Sequence, residues 1–246
     1  MAEKVRDDIK RPPFETASLR EGLAQFFRTP FIDPVSGVST PIGRFKWGVY
    51  AFFDYDGEPI YVGQTKERVS SRISRHLTNQ RSDAVAMSVL DPFEVLDIEV
   101  WPLPQYQSTP TRDKAAVDYL NALERKIYDK AIAESEFRIV LNEKNPPEAV
   151  VDVDTPPSLR GRIVSDEVLI QRSHPDIRIA RRAQVISRLA QVIEERQVQG
   201  GLRRSMTAQA RRLHSLSERR YYALGGELLV EREDGDEERE DDGSEA

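Results

Sequence analysis

The stretch Gly48-Val49-Tyr50-Ala51-Phe52-Phe53-Asp54-Tyr55-Asp56-Gly57-Glu58-Pro59-Ile60-Tyr61-Val62-Gly63 leaves the chain little conformational choice. Two short runs of aromatic and β-branched residues flank an Asp-Gly pair, the strongest short-range signal for a β-hairpin. A two-residue turn at Asp56-Gly57 sets Tyr55 opposite Glu58, Phe52 opposite Tyr61 and Tyr50 opposite Gly63. Strand side chains alternate, so Tyr50, Phe52, Tyr61 and Gly63 then share one face. Two phenols stand there beside a position without a side chain, a gap through which a substrate backbone could approach. The same residues also allow two amphipathic tyrosines that merely edge a small core.

Composition narrows the chemistry. The 246 residues contain no cysteine and only three histidines, His76, His174 and His214. Disulfides, thiolate zinc sites and cysteine nucleophiles are excluded, and carboxylates must hold any catalytic ion. No run approaches the ~18 apolar residues of a membrane span, and no signal peptide pattern opens the chain, so a cytoplasmic protein without a membrane partner is expected. The formal charge of −6 hides a strong asymmetry. Eleven acids and two arginines give residues 225–246 a net −9, which leaves +3 for residues 1–224. Between Arg160 and Leu224, fourteen arginines, no lysine and six acids give +8. That concentration suits a phosphate-binding surface or an ordinary solvated helical face.

Residues 1–13 lack periodicity and are expected to be disordered. Leu19, Leu23, Phe26 and Phe27 mark a short helix capped by Thr16 or Ser18. Prolines and glycines from Thr29 to Gly43 mark a loop, after which Arg44 and Lys46 bring positive charge to the start of the first strand. Beyond the hairpin, Lys66 to Leu77 reads as a helix with Val69, Ile73 and Leu77 as its buried stripe. Arg72 and His76 flank that stripe, four apart on one face. Thr78 to Asp91 reads as loop with a short helical piece. Alternation through Leu96, Ile98 and Val100 marks a third strand.

Asp113 to Ile132 is a helix whose apolar stripe runs through Ala116, Leu120, Leu123 and Ile127. Glu124 falls inside this stripe, where a carboxylate needs a cation, a metal or donors. An ion pair with Arg125 or Arg72 would satisfy it as well as a metal would. Prolines from Pro146 to Pro157 mark a stiff linker. Two further helical patterns, divided at Gly200-Gly201, suggest a helical hairpin, and an acidic tail follows.

Gly48-Val49-Tyr50 and Tyr61-Val62-Gly63 resemble the two tripeptides of the GIY-YIG nucleases. The likeness extends in order through Arg72, His76, Glu124 and Asn142, with Asn145 a less well-placed alternative to Asn142. It spans roughly residues 45–145, with valine for isoleucine in both tripeptides. The Arg72–His76 pair is closest in pattern to the restriction-type members of the superfamily. The resemblance implies an α+β fold: a small three-stranded antiparallel sheet flanked by helices, with an appended C-terminal helical domain. It also implies Glu124 as the ligand of Mg²⁺, with Mn²⁺ able to substitute, and Tyr50, Tyr61, Arg72, His76, Glu124 and Asn142 as the catalytic set. Tyr50 and His76 are rival general bases, since a phenol with a reference pKa near ~10 needs positive neighbours to act as one.

The expected organisation is an N-terminal helix and irregular arm over 1–43 and a nuclease domain over 44–150. A basic helical domain for DNA binding or dimerisation would follow over 151–226, then a disordered acidic tail over 227–246. Arg44, Lys46, Lys66, Arg203, Arg204, Arg211 and Arg212 are the expected DNA contacts, and a homodimer is open. The expected activity is hydrolysis of DNA phosphodiesters. A restriction or defence role is favoured over structure- or damage-directed repair because no repair module is recognisable. A DNA-binding module that has lost catalysis is the third reading, and the intact polar set argues against it.

Overall fold

The computed structural model describes residues 12–78, 90–142, 144–195 and 200–227. The expectations for residues 1–11, for most of the segment from Thr78 to Asp91 and for the acidic tail lie outside them. Helix α1 spans Phe14–Arg28, one turn earlier than a cap at Thr16 or Ser18 implies, and buries Leu19, Leu23 and Phe26. The stretch expected to be all loop contains a two-stranded ribbon, β1 (Pro30–Ile32) with β2 (Ser39–Pro41). Phe31 ties this ribbon down: it is buried edge-on against Phe45, with ring centroids 5.7 Å apart. The prolines occupy the ends of its strands, where a missing N–H costs least.

The hairpin forms from β3 (Gly48–Phe53) and β4 (Pro59–Thr65), in antiparallel register with Tyr50 opposite Gly63 and Phe52 opposite Tyr61. Its turn differs from the expected two-residue form. The register shifts after Phe52, so that Phe53 pairs with Pro59, and Asp54 closes a longer loop. The Asp54 N–H donates to the Glu58 carbonyl at 3.0 Å, while its carboxylate accepts from the Asp56 and Glu58 N–H groups. Gly57 supplies the positive φ, 77°, that such a loop needs.

Helix α2 (Val69–Leu77) buries Val69, Ile73 and Leu77 as expected; its start is delayed because β4 runs on to Thr65. The third strand, β5 (Asp97–Pro102), pairs with β3. Helix α3 (Lys114–Glu134) is capped by Asp113, whose carboxylate accepts from the Ala116 N–H at 2.9 Å.

A fourth strand, β6 (Leu159–Arg162), joins the sheet beyond the proline-rich stretch, giving the antiparallel order β4-β3-β5-β6. The expected three strands are therefore present with one more. Leu-Arg-Gly-Arg carries little strand signal, but it is an edge, where charged residues are the norm. Its Arg160 pairs with Asp97 of β5 at 3.0 Å. Helices α4 (Asp166–Arg172), α5 (Pro175–Glu195) and α6 (Gly200–Ala223) follow. The glycine pair lies within the first turn of α6 rather than between two helices.

Both faces of the sheet are covered. Val49, Ala51, Phe53 and Val62 pack on α3. Tyr50, Phe52, Ile98 and Val100 share the other core with α1, α2 and residues of α4–α6, including Val168, Val185, Leu189 and Leu202. This explains why β3 reads as an unbroken apolar run: all six of its residues are buried.

The C-terminal helices also meet the sheet through charge. The acidic turn of the hairpin projects into their arginines. Asp54, 2% exposed, accepts from Arg182 at 2.9 Å and from Arg212 at 3.4 Å. Arg178 grips Asp56 with a fork of 2.9 and 2.6 Å, which holds that carboxyl below the usual range against the opposing effect of burial. Arg182 also donates to Glu94 at 2.8 Å, and Arg172 pairs with Glu15 at 2.8 Å. No helix among the described residues is long and apolar enough to cross a membrane.

Candidate active site

Strand β4 is the outer edge of the sheet, so residues from both faces can converge along it. A cavity of about 320 Å³ opens there, with consecutive β4 residues Tyr61 to Gln64 along its floor. Arg72 and His76 enter from α2, Glu124 from α3, and Asn142 from the segment after α3. Five of the six expected catalytic residues therefore line one cavity.

Tyr50, the sixth, lies just behind it. Its side chain is 0% exposed, and its ring stacks beside Tyr61 with centroids 6.2 Å apart. The two phenols share a face as the alternation requires, and His76 packs against both rings at 6.0 and 5.1 Å. The gap at Gly63 is not open to a substrate backbone. A Cβ there would lie 2.8 Å from the Tyr50 hydroxyl and 2.9 Å from Tyr61 Cε1, so the phenols fill it. Glycine is needed for the tyrosines themselves to lie across the strand.

Arg72 is half-buried beside these rings. Burial disfavours its cation, yet the Tyr50 and Tyr61 phenols and Glu67 outweigh that loss, and its pKa is raised. Glu124 is only 9% exposed and has no ion pair among the described residues; neither Arg125 nor Arg72 forms one with it. Arg125 instead bonds Asp129 at 2.8 Å. Burial pushes the Glu124 carboxyl from 4.5 up to about 7, against the opposing pulls of a Gln64 hydrogen bond and the Arg72 charge.

Gln64 was not visible as a site residue. Its Nε2 donates to Glu124 Oε2 at 2.9 Å and to Asn121 Oδ1 at 2.8 Å. The readable signal was parity: Gln64 follows Val62 by two, which puts a polar side chain on the strand face that packs on α3. Asn142 has a structural partner. Its Nδ2 donates to the Val62 carbonyl at 2.6 Å and its Oδ1 accepts from the Val62 N–H at 3.1 Å. It thereby satisfies the open edge of β4, beside which no further strand lies among the described residues. Asn145 accepts from the Tyr128 hydroxyl at 2.8 Å. Lys144, also unforeseen, lines the cavity mouth.

The expected DNA contacts divide. Arg44, Lys46, Lys66, Arg203 and Arg211 are exposed. Arg212 is not: at 1% exposure it bonds Asp54, Glu58 and the Pro59 carbonyl, so it serves the hairpin turn instead of reaching a phosphate. Arg204 is half-buried and spent on the carbonyl of Asn142 and the side chain of Asn145. A sequence pattern of arginine pairs cannot tell these fates apart.

No group of three or more His, Asp or Glu side chains that could hold a metal occurs among the described residues. A single carboxylate remains compatible with a hard divalent ion, which is commonly held by one or two carboxylates with water and substrate phosphate completing its shell. Glu124 fits that role, since it is buried, forms no ion pair among the described residues and faces the cavity. No curated protein and no solved structure matches the chain. The family model of the GIY-YIG catalytic domain matches residues 46–133, which takes in both tripeptides, Arg72, His76 and Glu124 and stops short of Asn142. Residues 46–133 are thus similar to the GIY-YIG catalytic domain, the domain of the nucleases that the two tripeptides resemble.

Proposed function

We propose that this protein is a metal-dependent DNA endonuclease of restriction or defence type. The observation that carries the metal-dependent part is Glu124, a buried carboxylate without an ion pair among the described residues, at a cavity shared with Arg72 and His76. Burying such a group is costly unless a cation offsets it. Glu124 would hold Mg²⁺, which when bound supplies positive charge to the scissile phosphate. Mn²⁺ is the natural substitute.

Arg72 adds a fixed positive charge at the cavity for the charge that builds on phosphate oxygens. Either the His76 imidazole or the Tyr50 phenol accepts the proton of the attacking water. They differ in access: His76 lines the cavity, whereas the Tyr50 hydroxyl is buried behind Gly63. Tyr61 lines the cavity and can hydrogen-bond phosphate, and Gln64 keeps Glu124 oriented. Asn142 fixes the strand edge on which Tyr61 and Gly63 stand.

The restriction or defence assignment rests on the lack of a recognisable repair module in the sequence and on the Arg72–His76 pair, one turn apart on α2, which resembles the restriction-type pattern. Structure- or damage-directed cleavage is the alternative. The experiment is to incubate the full chain with linear plasmid DNA and with branched DNA, with Mg²⁺ or with chelator, and to map the ends. Discrete Mg²⁺-dependent fragments from the plasmid are expected, and none from Glu124→Ala. Cleavage confined to branched DNA sinks the restriction assignment, and undiminished cleavage in chelator sinks the metal.

A further inference from the structure

The C-terminal helices reach the cavity wall through one arginine. Arg204, near the start of α6, spreads its guanidinium over the segment that follows α3. Its Nη2 donates to the Asn142 carbonyl at 2.5 Å, and its Nη1 donates to Asn145 Oδ1, the same oxygen that accepts from Tyr128. Next to it, the Ser205 hydroxyl donates to the Leu141 carbonyl at 3.3 Å. On its other side this segment is bound to β4. The Leu141 N–H donates to the Ile60 carbonyl at 2.8 Å, and the Asn142 amide holds both backbone groups of Val62. Asn142, Lys144 and Asn145 line the cavity from this segment.

We propose that Arg204 is a positioning residue for the cleavage reaction. It presses the segment bearing Asn142 and Lys144 against β4, so the C-terminal helices complete the active site from outside the matched family segment. The proposal rests on the nuclease reading given above. A phosphate-contacting arginine presents its guanidinium to solvent, whereas both η nitrogens of Arg204 bond protein oxygens. The described residues of the segment it holds belong to no helix or strand, so their order depends on these side-chain bonds. Misplacing a reacting group by an ångström costs roughly a hundredfold in rate.

Lysine retains the charge of arginine but lacks its planar fork, so Arg204→Lys and Arg204→Ala together separate the two roles. Both variants should lower kcat by about tenfold to a hundredfold while the salt dependence of DNA binding stays that of the wild type. In the DNA-free protein both should speed hydrogen exchange at the Val62 amide, whose acceptor is Asn142 Oδ1, relative to amides of the central strand β3. Recovery of the rate in Arg204→Lys, with a salt slope flatter by about one unit in Arg204→Ala, makes Arg204 a phosphate contact and overturns the proposal. Unchanged Val62 protection overturns it too, as does equal acceleration throughout β3, which marks a general loss of stability. A wild type that cleaves no DNA removes the nuclease reading, and the exchange measurement then decides alone whether Arg204 positions this segment.

Discussion

Replacing Glu124 with glutamine should make the metal-free protein more stable, and the gain should depend on pH in a calculable way. The carboxyl titrates near 7 in the folded chain against an ordinary 4.5, because burial disfavours its ionised form. A group with a raised folded pKa binds its proton more tightly in the native state. Native stability is therefore unaffected below pH 4.5, declines as pH rises from 4.5 to 7, and is reduced by the full amount above that. The separation of the two values corresponds to about 3 kcal/mol. Glutamine cannot ionise and still offers an oxygen to the Gln64 amide. In urea unfolding with chelator present, the variant should match the wild type within a few tenths of a kcal/mol near pH 4.5 and exceed it by about 3 kcal/mol at pH 8. All other titrating groups cancel in the difference between the two proteins. Adding Mg²⁺ at pH 8 should then stabilise the wild type alone. A stability difference that does not change between the two pH values would refute the claim that Glu124 is a buried carboxylate whose burial outweighs the pull of Arg72.

Arg182→Ala removes a cation 2% exposed and bonded to both Asp54 and Glu94, so about 3–5 kcal/mol of stability should be lost in urea titration, because two acids are left buried. Gly63→Ala forces a methyl group within 3 Å of both tyrosine rings; cleavage should fall at least about tenfold as they move, and a normal rate would show the rings are not held there. Arg203→Ala and Arg211→Ala, both at exposed positions of α6, should each flatten the salt slope of DNA binding by up to about one unit, whereas Arg212→Ala should appear as a loss of stability. A slope unchanged in both exposed variants would remove α6 from the DNA interface.

The hairpin was legible because its determinants are local: alternation puts Tyr50 and Phe52 on one face, and the pairing of Phe52 with Tyr61 expected around Asp-Gly is kept although the loop is longer. The longer loop was not read because an Asp-Gly pair signals the two-residue turn first; here the Asp54 carboxylate takes the Asp56 and Glu58 N–H groups instead, and distant arginines pair with Asp54 and Asp56. Glu124 could be read from its place in an apolar stripe; its partner Gln64 could have been read by the same argument applied to β4. The fourth strand could not. Leu159 to Arg162 is a strand only because β5 offers it an edge and α1 covers Gly161, whose Cβ would meet the Phe26 ring at 3.0 Å. Asn142 sat at a readable place in the chain, but the two bonds it makes to Val62 span eighty residues and follow from no local pattern.

Charge is where composition and structure diverge most. The +8 of residues 160–224 describes a segment, whereas DNA responds to the field outside the folded molecule. Nine of its thirteen described arginines form ion pairs with acids, several of them carried by the hairpin turn, α1 or the sheet. Such pairs cancel most of their own field at a distance. Arg188, Arg203 and Arg211 remain exposed on the helices without an ion pair to another described residue. The positive charge that DNA can reach is thus shared between these and the cations of the catalytic part, among them Lys66 ahead of α2 and Lys144 at the cavity mouth. The arginine-rich segment owes its composition chiefly to its attachment: Asp54, Asp56 and Glu58 lie on the turn joining β3 to β4, the two strands that carry Tyr50 and Tyr61. A contact that holds this turn also holds the register of the tyrosines, so the C-terminal helices are coupled through packing to the two strands that carry them.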